Sequence, residues 1–276
     1  MKPPIDILPL FPLINNQLIA FLKSLSPEDW KRQTVARKWV IKDVAAHLLD
    51  GNFRKIAGYR DNWRITPGKP VSNYKELVDY LNEINNEWVM AAKRLSPQLI
   101  TELLEKTNDE VYAVLENLDP FGKAVYSVAW AGESESPNWF HIAREYTEVF
   151  IHQQQMRNAV NDQTLLTTEL YHPFLNIFMQ ALPYTYKDMQ AKENTLLKFT
   201  ITGEGGGSWF LKRENQKWII ATEEKENIIA ETTIDGTVAW KLLSKSVRKE
   251  DIQGSFEIKG NYMLGEKILD MVSVMA

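Results

Sequence analysis

The stretch Ser136–Asn161, SPNWFHIAREYTEVFIHQQQMRNAVN, reads as one long helix, and the rest of the chain is organised around it. Ser136 suits the N-cap, and Pro137 fits the first helical position, where a missing N–H costs nothing. Asn161 tolerates the left-handed conformation that ends helices. Inside the stretch, Glu148 and His152 are four residues apart, so their side chains stand one above the other on one face. By this spacing a single helix offers two ligands to a metal ion.

At about 100° per residue, His141, Glu145, Glu148 and His152 fall on one strip, with Arg144 and Gln155 at its edges. Trp139, Ile142, Ala143, Tyr146, Val149 and Phe150 fill the other side. Amphipathic helices ordinarily carry such a polar strip as a solvated face opposite a core face. The choice between a solvated face and a ligand strip therefore rests on other parts of the chain.

A chain of 276 residues makes one or two domains, and 44% hydrophobic residues are ample for a packed core. The net charge of −4 excludes a basic field for non-specific nucleic-acid binding. There is no cysteine, which removes disulfides, thiolate nucleophiles and thiolate metal ligands and fits a reducing compartment. The start, MKPPIDILPLF, lacks the apolar core and cleavage site of a signal peptide, and no apolar run reaches the ~20 residues of a membrane span. A soluble cytoplasmic protein without nucleic-acid or membrane partners is expected, as a monomer or homodimer.

Residues 8–24 have helical apolar spacing, with Pro12 limiting where the helix begins. Ser26-Pro27-Glu28-Asp29 is a helix-start signal ahead of Trp30. From Trp39 to Asp50, the residues Ile41, Val44, Ala45, Leu48 and Leu49 form a core-facing stripe with His47 at its edge. Asp43, Asp50 and Arg54 flank His47, and a surface pair with Asp43 is its plainest role. Further helices are predicted over residues 73–95, from Ser96-Pro97 to about Leu118, and over Tyr171–Tyr186, interrupted near Pro183. His172, directly before Pro173, reads as a loop or first-turn residue rather than a ligand.

Near residue 195 the texture changes. Strands are predicted at 196–202, 208–212, 217–222, 227–233 and 255–259, a helix at Gly236–Lys245 and a last helix at Asn261–Met275. Gly203-Glu204-Gly205-Gly206-Gly207 lacks the Gly-Lys-Ser/Thr ending of a phosphate loop and precedes a strand, so it reads as a hairpin turn. Trp209, Trp218 and Trp240 are candidates to line an apolar pocket, although such residues usually form core. The expected organisation is a helical domain over 1–190 followed by a small α+β domain over 195–276.

Three candidate metal ligands stand out: His47, Glu148 and His152. Two histidines and a carboxylate suit catalytic zinc with a position open, and equally iron(II), manganese or nickel. Facing helices of a bundle build such sites.

These residues also carry a resemblance. Trp39…Lys42-Asp43-Val44-Ala45-Ala46-His47-Leu48 and Glu148…His152 resemble the motifs of the DinB-like, mycothiol-dependent maleylpyruvate isomerase family. Thr202-Gly203-Glu204-Gly205-Gly206, Ala239-Trp240-Lys241-Leu242-Leu243 and Gly260-Asn261-Tyr262-Met263-Leu264-Gly265 are similar to that family's sterol-carrier-like C-terminal domain. The resemblance implies a four-helix up-and-down bundle, a divalent metal, usually zinc, on His47, Glu148 and His152, and thiol-dependent chemistry on a small molecule. It also implies a C-terminal-domain arginine facing the substrate; Arg213 and Arg248 are the arginines there, and Arg248 is the candidate.

The expected function is therefore a metal-dependent transferase or isomerase that uses a low-molecular-weight thiol, such as mycothiol, bacillithiol or glutathione, on a small electrophile. Arg54 and Arg144 are further candidates for holding a substrate carboxylate. Asp43 or Glu145 are candidates for orienting the ligand histidines. The alternative is a non-enzymatic metal- and small-ligand-binding protein that uses the sterol-carrier-like domain.

Overall fold

Helical spacing in the first two-thirds of the chain becomes helices with identifiable ends. The computed structural model describes residues 2–65, 68, 72–222 and 228–274. A 3₁₀ turn at Leu8–Leu10 leads into α1 (Phe11–Ser24), with Pro12 in its first turn, where a proline needs no N–H partner. The Ser26 hydroxyl and Asp29 carboxylate are hydrogen-bonded at 2.7 Å, closing the short turn that buries Trp30. Helix α2 (Ile41–Lys55) starts after Val40, which has no polar side chain to cap with. Asp43 instead reaches back to accept from the Val40 N–H at 3.2 Å, so it is not the partner of His47 that its spacing suggested. A π-helical turn, Ile56–Arg60, extends α2. Helix α3 (Tyr74–Ala92) is capped by Asn73 and α4 (Pro97–Glu116) by Ser96, each side chain accepting a backbone N–H.

The long helix is α5 (Asn138–Asn158), and Asn161 adopts φ +60° beyond its end. The Ser136 hydroxyl accepts from the Val128 N–H and donates to Glu133. None of the residues of α5 is exposed, so its polar strip is not a solvated face. His141 and Glu145 are buried, and Arg144 reaches both, at 2.8 Å from His141 Nδ1 and 2.7 Å from Glu145 Oε1. Mutual pairing is what lets these charged groups lie inside.

After α5 come α6 (Tyr171–Phe178), a 3₁₀ turn Met179–Ala181 and α7 (Leu182–Thr185), the break falling just before Pro183. His172 lies in the first turn of α6, its Nδ1 2.8 Å from the Gly206 carbonyl. Five strands follow: β1 (Leu196–Ile201), β2 (Gly207–Glu214), β3 (Lys217–Ala221), β4 (Ile228–Ile234) and, after α8 (Gly236–Leu243), β5 (Phe256–Gly260). Their order is β3-β2-β1-β4-β5, with β1 and β4 parallel and the other neighbours antiparallel, so the chain is α+β with a mixed sheet. Gly203–Gly207 is the β1–β2 hairpin turn: Gly203 has φ +97°, and a Cβ on Gly206 would sit 2.1 Å from the Ile201 carbonyl oxygen.

The last helix is much shorter than Asn261–Met275. Helix α9 spans Tyr262–Glu266, Lys267–Asp270 is a 3₁₀ turn, and Met271 is extended. The tail is instead tied down by hydrogen bonds, with the Ser273 N–H donating to the Leu243 carbonyl and its hydroxyl to that of Phe178. The predicted end Met275, like the strand start Asn227, lies outside the described residues.

Packing groups the chain into two units, Met1–Gly122 with Glu148–Asp162, and Lys123–Thr147 with Gln163–Ala276. Helices give way to strands between Thr185 and Leu196, where the change of texture was expected, but the packing units do not follow a division at 190–195. The reason lies in Gln163–Asn194, which is bound to the sheet end of the chain. Tyr171 donates to the Gly236 carbonyl, Tyr186 to that of Leu264, and Trp218 to that of Met189.

The core of the first unit gathers Leu18, Leu22, Ile41, Val44, Ala45, Leu49, Ile100, Leu104 and Met156. Gln153 and Arg157 tie the second half of α5 to α1: Gln153 donates to the Ile14 carbonyl and Arg157 to that of Gln17. In the second unit Trp209, Trp218 and Trp240 are all buried.

Candidate metal centre

The amphipathic stripe of α2 packs Val44, Ala45, Leu48 and Leu49 into the core and turns His47 aside, partly buried. The second half of α5 belongs to the same unit and supplies Glu148 and His152. One nitrogen or carboxylate oxygen from each of His47, Glu148 and His152 lies within 4.8 Å of the others. His152 Nε2 is 3.3 Å from Glu148 Oε2, the separation two ligands take around a tetrahedral ion with ligands at ~2.0 Å. The imidazole rings of His47 and His152 meet edge to face, with centroids 4.6 Å apart.

The environment keeps nitrogen donors available. Burial, then the neighbouring His152, Arg54 and Lys55, hold the His47 pKa well below its usual 6.5, so the ring is neutral near pH 7 and keeps a lone pair to donate. His47 Nδ1 is buried without a hydrogen-bond partner among the described residues, a polar atom left unsatisfied by the protein alone. The Glu148 side chain is one-third exposed, which leaves an approach from solvent. Trp39 lies against both rings, its centroid 4.9 Å from that of His47 and 6.5 Å from that of His152. The donor set and the unsatisfied nitrogen fit a divalent ion.

The other sequence candidates have different surroundings. Arg54 is two turns along α2 from His47, with its Nε 3.0 Å from Asp50 Oδ2 and an Nη 3.4 Å from Asn85 Oδ1. Arg144 belongs to the second unit and is bound to His141 and Glu145. Glu145 thus faces Arg144, and Asp43 faces the Val40 N–H. Arg248 is exposed in the second unit, ahead of the 3₁₀ turn Lys249–Ile252. Arg213 is buried there, its guanidinium 5.7 Å over Trp218. Sequence reasoning placed Gln155 only at the edge of the strip; its Oε1 lies 3.0 Å from His152 Nδ1.

Residues 11–157, more than half of the chain, match the family described as "Mycothiol maleylpyruvate isomerase N-terminal domain". The chain belongs to this family. All three converging residues lie inside the matched segment. No curated protein matches the sequence. Among solved structures, the crystal structure of the mycothiol-dependent maleylpyruvate isomerase is similar with a TM-score of 0.52 at 11% identity, over 87% of this chain and 88% of that one. A mutant of that enzyme gives a TM-score of 0.49 at 12% identity with the same coverage. At such identities the likeness is one of fold. No helix among the described residues is long and apolar enough to cross a membrane.

The His47 environment has a consequence for stability. A histidine whose folded pKa lies below its unfolded value binds fewer protons folded than unfolded. Its contribution is therefore fully present above the unfolded value of about 6.5 and is lost as pH falls toward the folded value, by up to ~1.4 kcal/mol per pH unit. Ion-free protein should lose stability in denaturant titrations between pH 7.5 and pH 5, and His47→Leu should flatten that dependence. An equal slope in both proteins would contradict the burial of a neutral His47.

Proposed function

We propose that the protein is a thiol-dependent isomerase or transferase of the mycothiol-dependent maleylpyruvate isomerase type, acting on a small electrophilic molecule. A divalent ion, zinc by donor chemistry, would be held by His47, Glu148 and His152, with nickel, iron(II) and manganese chemically compatible. The observation that carries this reading is the convergence of those three donors from two helices within 4.8 Å, in a chain of this family. The first unit then corresponds to a DinB-like four-helix bundle and the sheet to a sterol-carrier-like domain.

When bound, the ion supplies a Lewis acid that brings the pKa of a thiol or water toward neutrality. The protein's own groups do the rest. His47 and His152 would donate nitrogen lone pairs to the ion, and Glu148 would offset its positive charge. Trp39 shields one side of both rings from water. Arg54, whose charge is felt at His47, would be the cation that meets a substrate carboxylate. The chain has no cysteine, so any reacting sulfur comes from a cosubstrate. A cytoplasmic location, where such thiols are kept reduced, belongs to the same reading.

The competing reading is a metal- and small-ligand-binding protein without turnover that uses the sterol-carrier-like domain. A turnover assay separates the two readings. Zinc-loaded protein is incubated with mycothiol, bacillithiol or glutathione and a panel of small electrophiles, including maleylpyruvate. Turnover that disappears in Glu148→Gln supports the enzyme. A retained apolar ligand with no turnover under any pairing supports the binding module.

A further inference from the structure

Residues 153–155 are three consecutive glutamines on the turn that follows His152, and each has a different environment. Gln153 is fully buried and structural, donating to the Ile14 carbonyl and accepting from Arg157 Nε. Gln154 Oε1 is buried without a hydrogen-bond partner among the described residues. Gln155 is also buried, and its Oε1 lies 3.0 Å from His152 Nδ1. Helical side chains tilt toward the N-terminus, so a residue three positions on leans back over the one it follows. Gln155 is thereby aimed at the His152 ring by the backbone itself.

We infer that Gln155 is a positioning residue that fixes the tautomer and plane of His152. An amide oxygen can only accept, so the Nδ1 it faces must carry the proton. With Nδ1–H donating to Gln155, the Nε2 lone pair is left bare and directed toward Glu148, 3.3 Å away. Without that acceptor, the Glu148 carboxylate would draw the ring proton to Nε2, the atom a metal ion needs unprotonated. His47 receives no such help, since its Nδ1 has no hydrogen-bond partner among the described residues. The two histidines are thus held differently: His152 by a hydrogen bond on its own helix, His47 by packing against Trp39.

This inference rests on the metal-centre reading for its purpose but can be tested separately from it. The test compares wild type, Gln155→Leu, which removes the acceptor, and Gln155→Glu, which keeps it. In ion-free protein, nitrogen-15 NMR of the imidazoles reports the His152 tautomer. Zinc affinity is measured by competition with a chromophoric chelator. The expected wild-type tautomer carries its proton on Nδ1, and Gln155→Leu should shift it toward Nε2 and weaken zinc binding by about 10–100-fold, the usual effect of losing such an orienting partner. Gln155→Glu should restore the wild-type tautomer and most of the affinity. Should Gln155→Leu fail to fold, Gln155→Met, which is closer in shape and also lacks the oxygen, takes its place. An unchanged tautomer in the acceptor-less variant, or a loss of affinity that Gln155→Glu does not rescue, would overturn the inference. If wild type binds no zinc, the metal-centre reading fails, while the tautomer comparison still decides what Gln155 does.

Discussion

His152→Ala is expected to abolish stoichiometric ion binding while the helical circular-dichroism signal survives, and His47→Ala should do the same. Losing a partner that merely orients a ligand weakens metal binding by about 10–100-fold, so losing one of three ligands should cost more than ~100-fold. The fold should tolerate the change because the unit's core is built without these rings. Ile41, Val44, Leu49, Ile100 and Leu104 are buried to within a trace, whereas His47 and His152 stand partly exposed beside them. Elemental analysis of the purified variants decides the matter. Wild-type ion content in both variants would remove these histidines from any metal site.

The second large effect is on stability. Arg157 is buried, and its guanidinium donates to Gln153 Oε1 at 3.1 Å, to the Gln17 carbonyl at 2.8 Å and to the Asp162 carboxylate. It also lies 4.5 Å over the Phe21 ring. Burial pulls its pKa down and Asp162 pushes it up, so the pairing is what keeps an interior charge tolerable. Arg157→Met keeps much of the stem but leaves the Gln17 carbonyl, Gln153 and Asp162 short of a donor. Breaking a buried pair from one side costs about 3–5 kcal/mol, a large share of a typical stability of ~5–15 kcal/mol. Urea titration should show a midpoint lowered accordingly. A loss below about 1 kcal/mol would mean that water replaces the guanidinium freely.

Much of this was legible in the chain. The apolar spacing of Ile41, Val44, Ala45, Leu48 and Leu49 located α2, and the four-residue interval from Glu148 to His152 put both on one face of α5. Caps with a chemical mechanism, at Asn73 and Ser96, were also readable. Burial of the polar strip was not. His141, Arg144 and Glu145 look like solvated residues in sequence, whereas in the fold they pair with one another inside it. Asp43 was misassigned because two bonds compete for it: its spacing from His47 is right, but the nearer Val40 N–H lacks a cap. Gln155 is legible from its i+3 relation to His152, which lets a helical amide face the ring as well as edge a polar strip. The end of the last helix falls short of the apolar pattern that Met271, Val272 and Val274 continue, because hydrogen bonds from Ser273 to Leu243 and Phe178 tie the tail down instead. The packing units were hidden for the same kind of reason, since contacts such as Tyr171 to Gly236 join residues distant in the chain.

The central claim is that His47, Glu148 and His152 hold an ion to which a thiol cosubstrate has access. The most direct measurement is the absorption spectrum of the cobalt(II)-loaded protein titrated with a small thiol near neutral pH. The chain contains no cysteine, so a new sulfur-to-cobalt charge-transfer band must come from the added thiol. The band should appear and strengthen with rising pH as thiolate forms, and it should be lost in His152→Ala. A cobalt spectrum unchanged by millimolar thiol across neutral pH would contradict the account.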